Sequence, residues 1–192
     1  MDQDDILIEL CKAGDQKAQV EIYRKYFRQV YNSCLRIVNN TADAEDLMQN
    51  SFIDAFNKIK HYRGPSSFGG WLKRIAVNNS IDFLAKRKPQ SDDLEAALEI
   101  SDTGSLTDES VIEYTVELVK KAMTMVNDDY RIILSLSLFE GYDHEEIGQI
   151  LRLSQANVRT RYSRARQSLI QCYNQLQHKK TTMTEINGWD KR

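Results

Sequence analysis

Five arginines (Arg152, Arg159, Arg161, Arg164 and Arg166) and no acidic residue lie between positions 152 and 170. A guanidinium can pair bidentately with a guanine edge or neutralise a phosphate, so such a block points to nucleic acid. A second basic block holds eight Lys/Arg against one acid, Asp82, between positions 55 and 90. Within it Tyr62, Arg63, Gly64, Ser66, Ser67 and Phe68 combine hydroxyls, charge and rings. Trp71, Arg74 and Asn78 follow at intervals of three and four, which places them on one helical stripe. Trp71 fits core packing as well as DNA; Arg74 and Asn78 fit DNA better. Lys86, Arg87 and Lys88 have the chemistry of phosphate ligands.

Catalytic and metal chemistry have no comparable support. The three cysteines, Cys11, Cys34 and Cys172, are odd in number and far apart, which reads as reduced thiols. The three histidines, His61, His144 and His178, lack ligand spacing, and no phosphate loop, nucleophile elbow or HExxH occurs. The expectation is a protein that is not an enzyme and carries no cofactor. No apolar run approaches the roughly 20 residues of a membrane span. The acidic start MDQDDILIEL has no basic n-region, so neither a signal peptide nor membrane insertion is expected, and the expected location is cytoplasmic. The net charge of −2 hides a third block, of eleven acids and two bases, between positions 91 and 130. Clustering of charge, more than its sum, decides what a surface attracts.

The elements that must position these residues are all helical. With only two prolines and eight glycines among 192 residues, long helices are permitted almost throughout. Residues 4–13 read as a short helix with Ile6, Leu7 and Leu10 on one face, broken at Gly14-Asp15. Residues 16–38 carry Ala18, Ile22, Tyr26, Val30, Cys34 and Ile37 at helical spacing. Asn39-Asn40 punctuate, and Thr41 is the expected N-cap of a helix to Ile59, with Asp43, Glu45 and Asp46 near its positive end. HYRGPSSFGG reads as a loop, followed by a helix from Ser67 or Gly70 to Lys86. Residues 89–108 read as a flexible acidic linker able to reach about 70 Å. Helices over 109–126 and 128–139 follow, the second ended by Gly141, and the polar tail 177–192 reads as frayed.

Residues 143–170 form the most specific pattern. Asp143 and Glu146 make a capping box at the start of a short helix whose buried face is Ile147, Ile150 and Leu151. Leu153-Ser154 end a three-residue turn, and Ser154 caps the next helix. A short helix, a tight turn and a longer helix is the bihelical DNA-reading unit. On the second helix Val158, Tyr162, Ala165 and Leu169 face inward. Ala156, Thr160, Ser163 and Gln167 lie opposite, edged by Asn157, Arg159, Arg164 and Arg166.

FEGYDHEEIGQILRLSQANVRTRYSRARQSL resembles the fourth conserved region of bacterial sigma factors, which binds the −35 promoter element. TADAEDLMQNSFIDAF resembles the second-region helix that docks on core RNA polymerase, and HYRGPSSFGGWLKRIAVNNSIDFLAKRK the adjoining −10 recognition loop and helix. The order of the motifs and the acidic linker match the extracytoplasmic-function group. The resemblance implies an all-α chain of two small helical domains. Residues 1–88 would form the second-region domain, 89–108 the linker and 109–176 the fourth-region helix-turn-helix domain. It implies −35 contacts from Asn157, Arg159, Thr160, Arg161, Ser163, Arg164 and Arg166. It implies −10 contacts from Tyr62, Arg63, Ser66, Ser67, Phe68, Trp71, Arg74, Asn78, Lys86 and Arg87. Polymerase contacts would come from Asp43, Glu45, Asp46, Gln49, Asn50 and Phe52, with Leu47, Phe52 and Phe56 divided between core and interface.

The partners so implied are core RNA polymerase (the largest-subunit coiled coil and the flap), promoter DNA and an anti-sigma factor. Two positions depart from the family pattern. Asn50 stands where an acid is usual, and Arg152 where glycine is frequent; a positive φ there would cost on the order of 1 kcal/mol. The other reading is a stand-alone helix-turn-helix regulator, which has no need of the 41–56 helix.

Overall fold

The computed structural model describes the backbone of residues 3–64, 67–87 and 109–189, and within these the side chains of 4–64, 67–87 and 115–177. Ser66, Lys88 and the 89–108 linker lie outside the described residues. Among those described there is no strand. The chain divides into two units, Met1–Ser91 and Asp92–Arg192.

The first unit contains α1 (Gln3–Lys12), α2 (Gln16–Val38), α3 (Thr41–Lys58), a 3-10 turn (Ile59–His61) and α4 (Phe68–Arg87). Its helix boundaries have local causes. Gly14 turns the chain at φ 89°, and the Asp15 carboxylate then accepts from the Lys17 and Ala18 amides to start α2. Asn39 takes the left-handed conformation that ends α2. Asn40, rather than Thr41, caps α3, its side-chain oxygen accepting from the Asp43 amide at 3.0 Å. Both residue types can cap; the pair of asparagines supplies the left-handed turn and the cap in succession. Ser67 starts α4, its hydroxyl accepting from the Gly70 amide at 3.2 Å, so Phe68, Gly69 and Gly70 belong to the helix and not to the loop.

α2, α3 and α4 pack on one another, and α1 packs on α2 and the 3-10 turn. The α2 stripe faces inward as its spacing dictates: Ala18, Ile22, Val30, Cys34 and Ile37 are all at most 3% exposed. α1 differs from expectation. It buries Ile8 and Cys11, while Ile6 and Leu10 remain 49% and 42% exposed. The buried pair Ile8 and Cys11 sets the inward side, and Asp4 adds bonds to Lys25 and Tyr26 of α2.

The second unit contains α5 (Glu109–Met125), α6 (Asp128–Leu134), a π-helical turn (Ser135–Phe139), α7 (His144–Leu151) and α8 (Gln155–Trp189). The helix expected over 128–139 thus widens in its second half: the Glu140 amide bonds back five residues to the Ser135 carbonyl. Gly141 turns the chain at φ 77°. Met123, Val126, Leu134 and Ala165 form a core against which Tyr130, Tyr162, Leu169 and Cys172 pack. Arg131, only 5% exposed, donates to the Val126 carbonyl at 3.1 Å and to the Asp128 carboxylate at 2.6 Å. The α8 backbone continues through the tail expected to fray, because neither proline nor, before Gly188, glycine interrupts residues 171–187.

The α7–α8 turn is tight. The capping box of Asp143 and Glu146 is formed, and Ser154 caps α8 through the Asn157 amide. A Cβ on Gly148 would stand 2.8 Å from the Leu153 carbonyl oxygen, so only glycine lets the turn fold back this closely. Arg152 occupies the left-handed region at φ 56° and ψ 41°. Replacing it by glycine is expected to raise stability by about 0.5 kcal/mol, the strain relieved less the entropy glycine loses on folding. Urea unfolding of the Arg152→Gly chain, followed by circular dichroism, checks this; a lower midpoint at unchanged slope would refute it.

Candidate nucleic-acid interface

α8 buries Val158 and Ala165 completely and half-buries Tyr162 and Leu169, so its outward face is settled by packing. Asn157, Arg159, Thr160, Ser163, Arg164 and Arg166 are exposed. Arg161 is half-buried, and its Nε donates to the Asn157 side chain at 3.1 Å. Arg161 therefore orients Asn157 at the first turn of the helix. The Thr160 hydroxyl donates to the Ala156 carbonyl at 3.1 Å.

In the first unit the sequence-assigned −10 residues separate into two kinds. Phe68 is 4% exposed and belongs to the core. It supports two half-buried rings: Tyr62 at 5.4 Å, edge-on, and Trp71 at 5.5 Å, with Tyr62 and Trp71 5.3 Å apart. Burial pushes the Tyr62 phenol up from its usual pKa, and the Asp5 charge adds to this against a smaller opposing effect of Lys12. The hydroxyl accordingly stays protonated and able to donate at neutral pH. Arg63, Ser67, Arg74, Asn78 and Lys86 are exposed around or beyond these rings. Arg87 is exposed too, but its guanidinium bonds to Asp43 at 2.9 Å. Residues assigned to DNA and to polymerase therefore meet there, in an exposed pair of at most about 1 kcal/mol.

α3 buries Ala44, Leu47, Met48, Ser51, Phe52 and Ala55. Glu45, Asp46, Gln49 and Asn50 stand exposed on the other side, and Asp43 is half-buried. Phe52 does not stand with them: it is 3% exposed and packs on Tyr23 at 4.8 Å and Phe56 at 6.1 Å. Ile53, 58% exposed, continues the outward stripe instead. Sequence reasoning missed it because Phe52 and Ile53 are adjacent and both apolar; the three-residue interval from Asn50 to Ile53 was the available signal. Among the described residues no group of three His, Cys, Asp or Glu is placed to hold a metal ion, and no helix is long and apolar enough to cross a membrane.

An acid-free face on the second helix of a helix-turn-helix, joined in one chain to a second helical unit with its own basic face, defines a two-unit DNA-binding protein. Residues 22–90 match sigma-70 region 2 and residues 117–169 match sigma-70 region 4. The ECF RNA polymerase sigma factor SigW of Bacillus subtilis is 30% identical over 84% of this chain and 92% of its own. The ECF RNA polymerase sigma-E factor of Salmonella typhimurium is 32% identical over 86% and 92% respectively. The chain belongs to the extracytoplasmic-function family of RNA polymerase sigma factors. It is a promoter-recognising, non-enzymatic initiation factor, which decides against a stand-alone regulator. Among solved structures it resembles CnrH in complex with the cytosolic domain of CnrY (TM-score 0.55, 20% identity, 90% of this chain and 98% of that one). It also resembles the sigma factor RpoE of Bartonella quintana in complex with the anti-sigma factor NepR (TM-score 0.54, 21% identity, 80% and 95%).

Burial separates structural from exposed members of these faces, and stability measurements should follow it. Phe68→Ala is expected to cost about 3–5 kcal/mol, the usual loss for a buried aromatic. Arg74→Ala, Asn78→Ala and Arg164→Ala should stay within about 0.5 kcal/mol of the parent. Urea unfolding of the four variants checks the contrast. A loss from Asn78→Ala as large as that from Phe68→Ala would contradict the outward placement of Asn78.

Proposed function

We propose that the chain directs core RNA polymerase to promoters through three separate faces. The exposed α3 stripe of Glu45, Asp46, Gln49, Asn50 and Ile53 docks on a basic, partly apolar surface of the polymerase. The loop 61–68 with Trp71, Arg74 and Asn78 reads the −10 element and captures an unpaired base. The outward residues of α8 read the −35 element in the major groove. The observation that carries the reading is α8 itself: buried Val158 and Ala165 leave Arg159, Arg164 and Arg166 facing out, with no acid from 152 to 170. Residues 1–88 serve as the docking and opening domain, 89–108 as a linker and 109–176 as the −35 domain. The resemblance to a sigma factor held by an anti-sigma factor supports a similar inhibitory partner here, and a cytoplasmic location accords with such partners.

Arg159→Ala and Arg164→Ala are each expected to lower −35 affinity by about 1–3 kcal/mol if the arginine pairs with a base. Footprinting of the reconstituted holoenzyme on a promoter it transcribes measures this, and unchanged −35 protection in both variants would remove α8 from the groove. The docking face is tested separately. Asp46→Ala with Gln49→Ala, and Ile53→Asp alone, should each reduce capture of core polymerase in a pull-down while circular dichroism stays unchanged. Undiminished capture by both would refute the α3 assignment.

A further inference from the structure

The Tyr62–Trp71 pair stands at the end of a continuous set of contacts that begins on another helix. Asp4 of α1 accepts a hydrogen bond from the Tyr26 hydroxyl at 2.6 Å and forms an ion pair with Lys25. Burial raises the Asp4 carboxyl, but the Lys25 and Tyr26 hydrogen bonds and the Lys25 charge outweigh it and hold its pKa below the usual value. Asp4 is thus a fully charged acceptor at neutral pH. The Tyr26 ring lies 5.7 Å from Phe68, and its Cε1 is 2.9 Å from where a Cβ on Gly69 would stand. Tyr26 therefore occupies the space that Gly69 leaves at the start of α4. Phe68 in turn touches both Tyr62 and Trp71.

We propose that Asp4 is a positioning residue for promoter opening: by fixing the Tyr26 hydroxyl it locks Tyr26 against Phe68 and Gly69, and so holds Tyr62 and Trp71 in the arrangement that receives a −10 base. The proposal rests on the −10 assignment of that face. Asp4 touches no DNA in this scheme. A hydroxyl anchored to a charged acceptor restrains the far end of the tyrosine, and the ring edge, wedged at Gly69, transmits that restraint to the first turn of α4. Lys25 has a secondary role, pairing with the Asp4 carboxylate from the same helix as Tyr26.

The test uses the full chain carrying Trp189→Phe, which leaves Trp71 as its single tryptophan, since the sequence has two. Asp4→Ala and Tyr26→Phe are expected to red-shift Trp71 emission and lower its anisotropy. In the reconstituted holoenzyme the same variants should reduce permanganate reactivity at the −10 element about three- to tenfold, with −35 protection unchanged. Asp4→Asn, which keeps an acceptor for the hydroxyl, should recover much of both signals, and Lys25→Met should stay near the parent. Tyr26→Phe retains the ring, so a result from it stands even if Asp4→Ala folds poorly by circular dichroism. Parental Trp71 emission and anisotropy in both variants would overturn the proposal, as would a Lys25→Met defect equal to that of Asp4→Ala. Mobilised Trp71 with normal melting would overturn it too. Normal melting by Trp71→Ala as well would then place the fault in the −10 assignment rather than in the relay from Asp4.

Discussion

The outer faces of the N-terminal unit follow from how closely α2, α3 and α4 approach one another. The approach is made by small side chains: Ser33 and Cys34 of α2, Ala44, Ser51 and Ala55 of α3, Ala76 and Ser80 of α4, all fully buried. Two of the serines satisfy their hydroxyls within their own helices, Ser51 on the Leu47 carbonyl and Ser80 on the Ala76 carbonyl, so the burial of these two leaves neither hydroxyl donor unpaired. Asn79 then links α4 to α3 through Asp54 at 3.0 Å and Ser51 at 3.3 Å. Each large residue buried in this packing contributes about 1.5–3 kcal/mol, whereas an exposed ion pair such as Arg87–Asp43 contributes at most about 1. The apolar and small residues therefore decide which way each helix faces. The charged stripes follow as a consequence of that orientation and do not cause it.

In the C-terminal unit the comparable constraint is the α7–α8 turn. Gly148 lets the Leu153 carbonyl come back against α7, and the Leu153 amide donates to the Gly148 carbonyl at 2.9 Å. Arg152 bears a left-handed backbone to complete the reversal. A turn held this firmly fixes the start of α8, and the start of α8 carries Asn157 and Arg159. Val158, buried between them, prevents the helix from rolling. A recognition helix needs this rigidity more than it needs any one contact, because a base edge is read by hydrogen bonds that fail within a fraction of an ångström.

How much was legible in the sequence depended on whether a residue's role was set locally or by packing. The capping box at Asp143, the inward stripe of α8 and the α2 stripe are local or periodic, and the structure has them where the spacing puts them. The α3 acids are likewise on the exposed side. Roles decided by a neighbouring helix were less legible. Phe52 turns inward because Tyr23 of α2 offers it a ring, and nothing within α3 says so. Phe68 has the composition of a base-binding residue but becomes the support for two others, because Tyr26 covers it from α2. The pairing of Asp43 with Arg87 spans 44 positions and is invisible to any local pattern. The π-helical turn at Ser135–Phe139, which buries Ser135 and Leu136, has no periodic signature of its own.

A net charge of −2 would by itself suggest a protein that duplex DNA repels. The structure shows why the sum misleads. At physiological salt the field of an exposed charge decays over about 8 Å, while a helix with its side chains is about 10 Å across. Charges on different faces are therefore felt separately, and each face acts with its own sign. The α3 stripe presents Glu45 and Asp46; α4 presents Arg74 and, toward its end, Lys86; α8 presents arginine without acid. An ion pair joins Asp43, at the first turn of α3, to Arg87, at the last turn of α4. Because that pair neutralises its own charges, α3 and α4 keep opposite signs within one small unit. The docking and −10 roles proposed for α3 and α4 would require that division, which the packing of small residues between them makes possible.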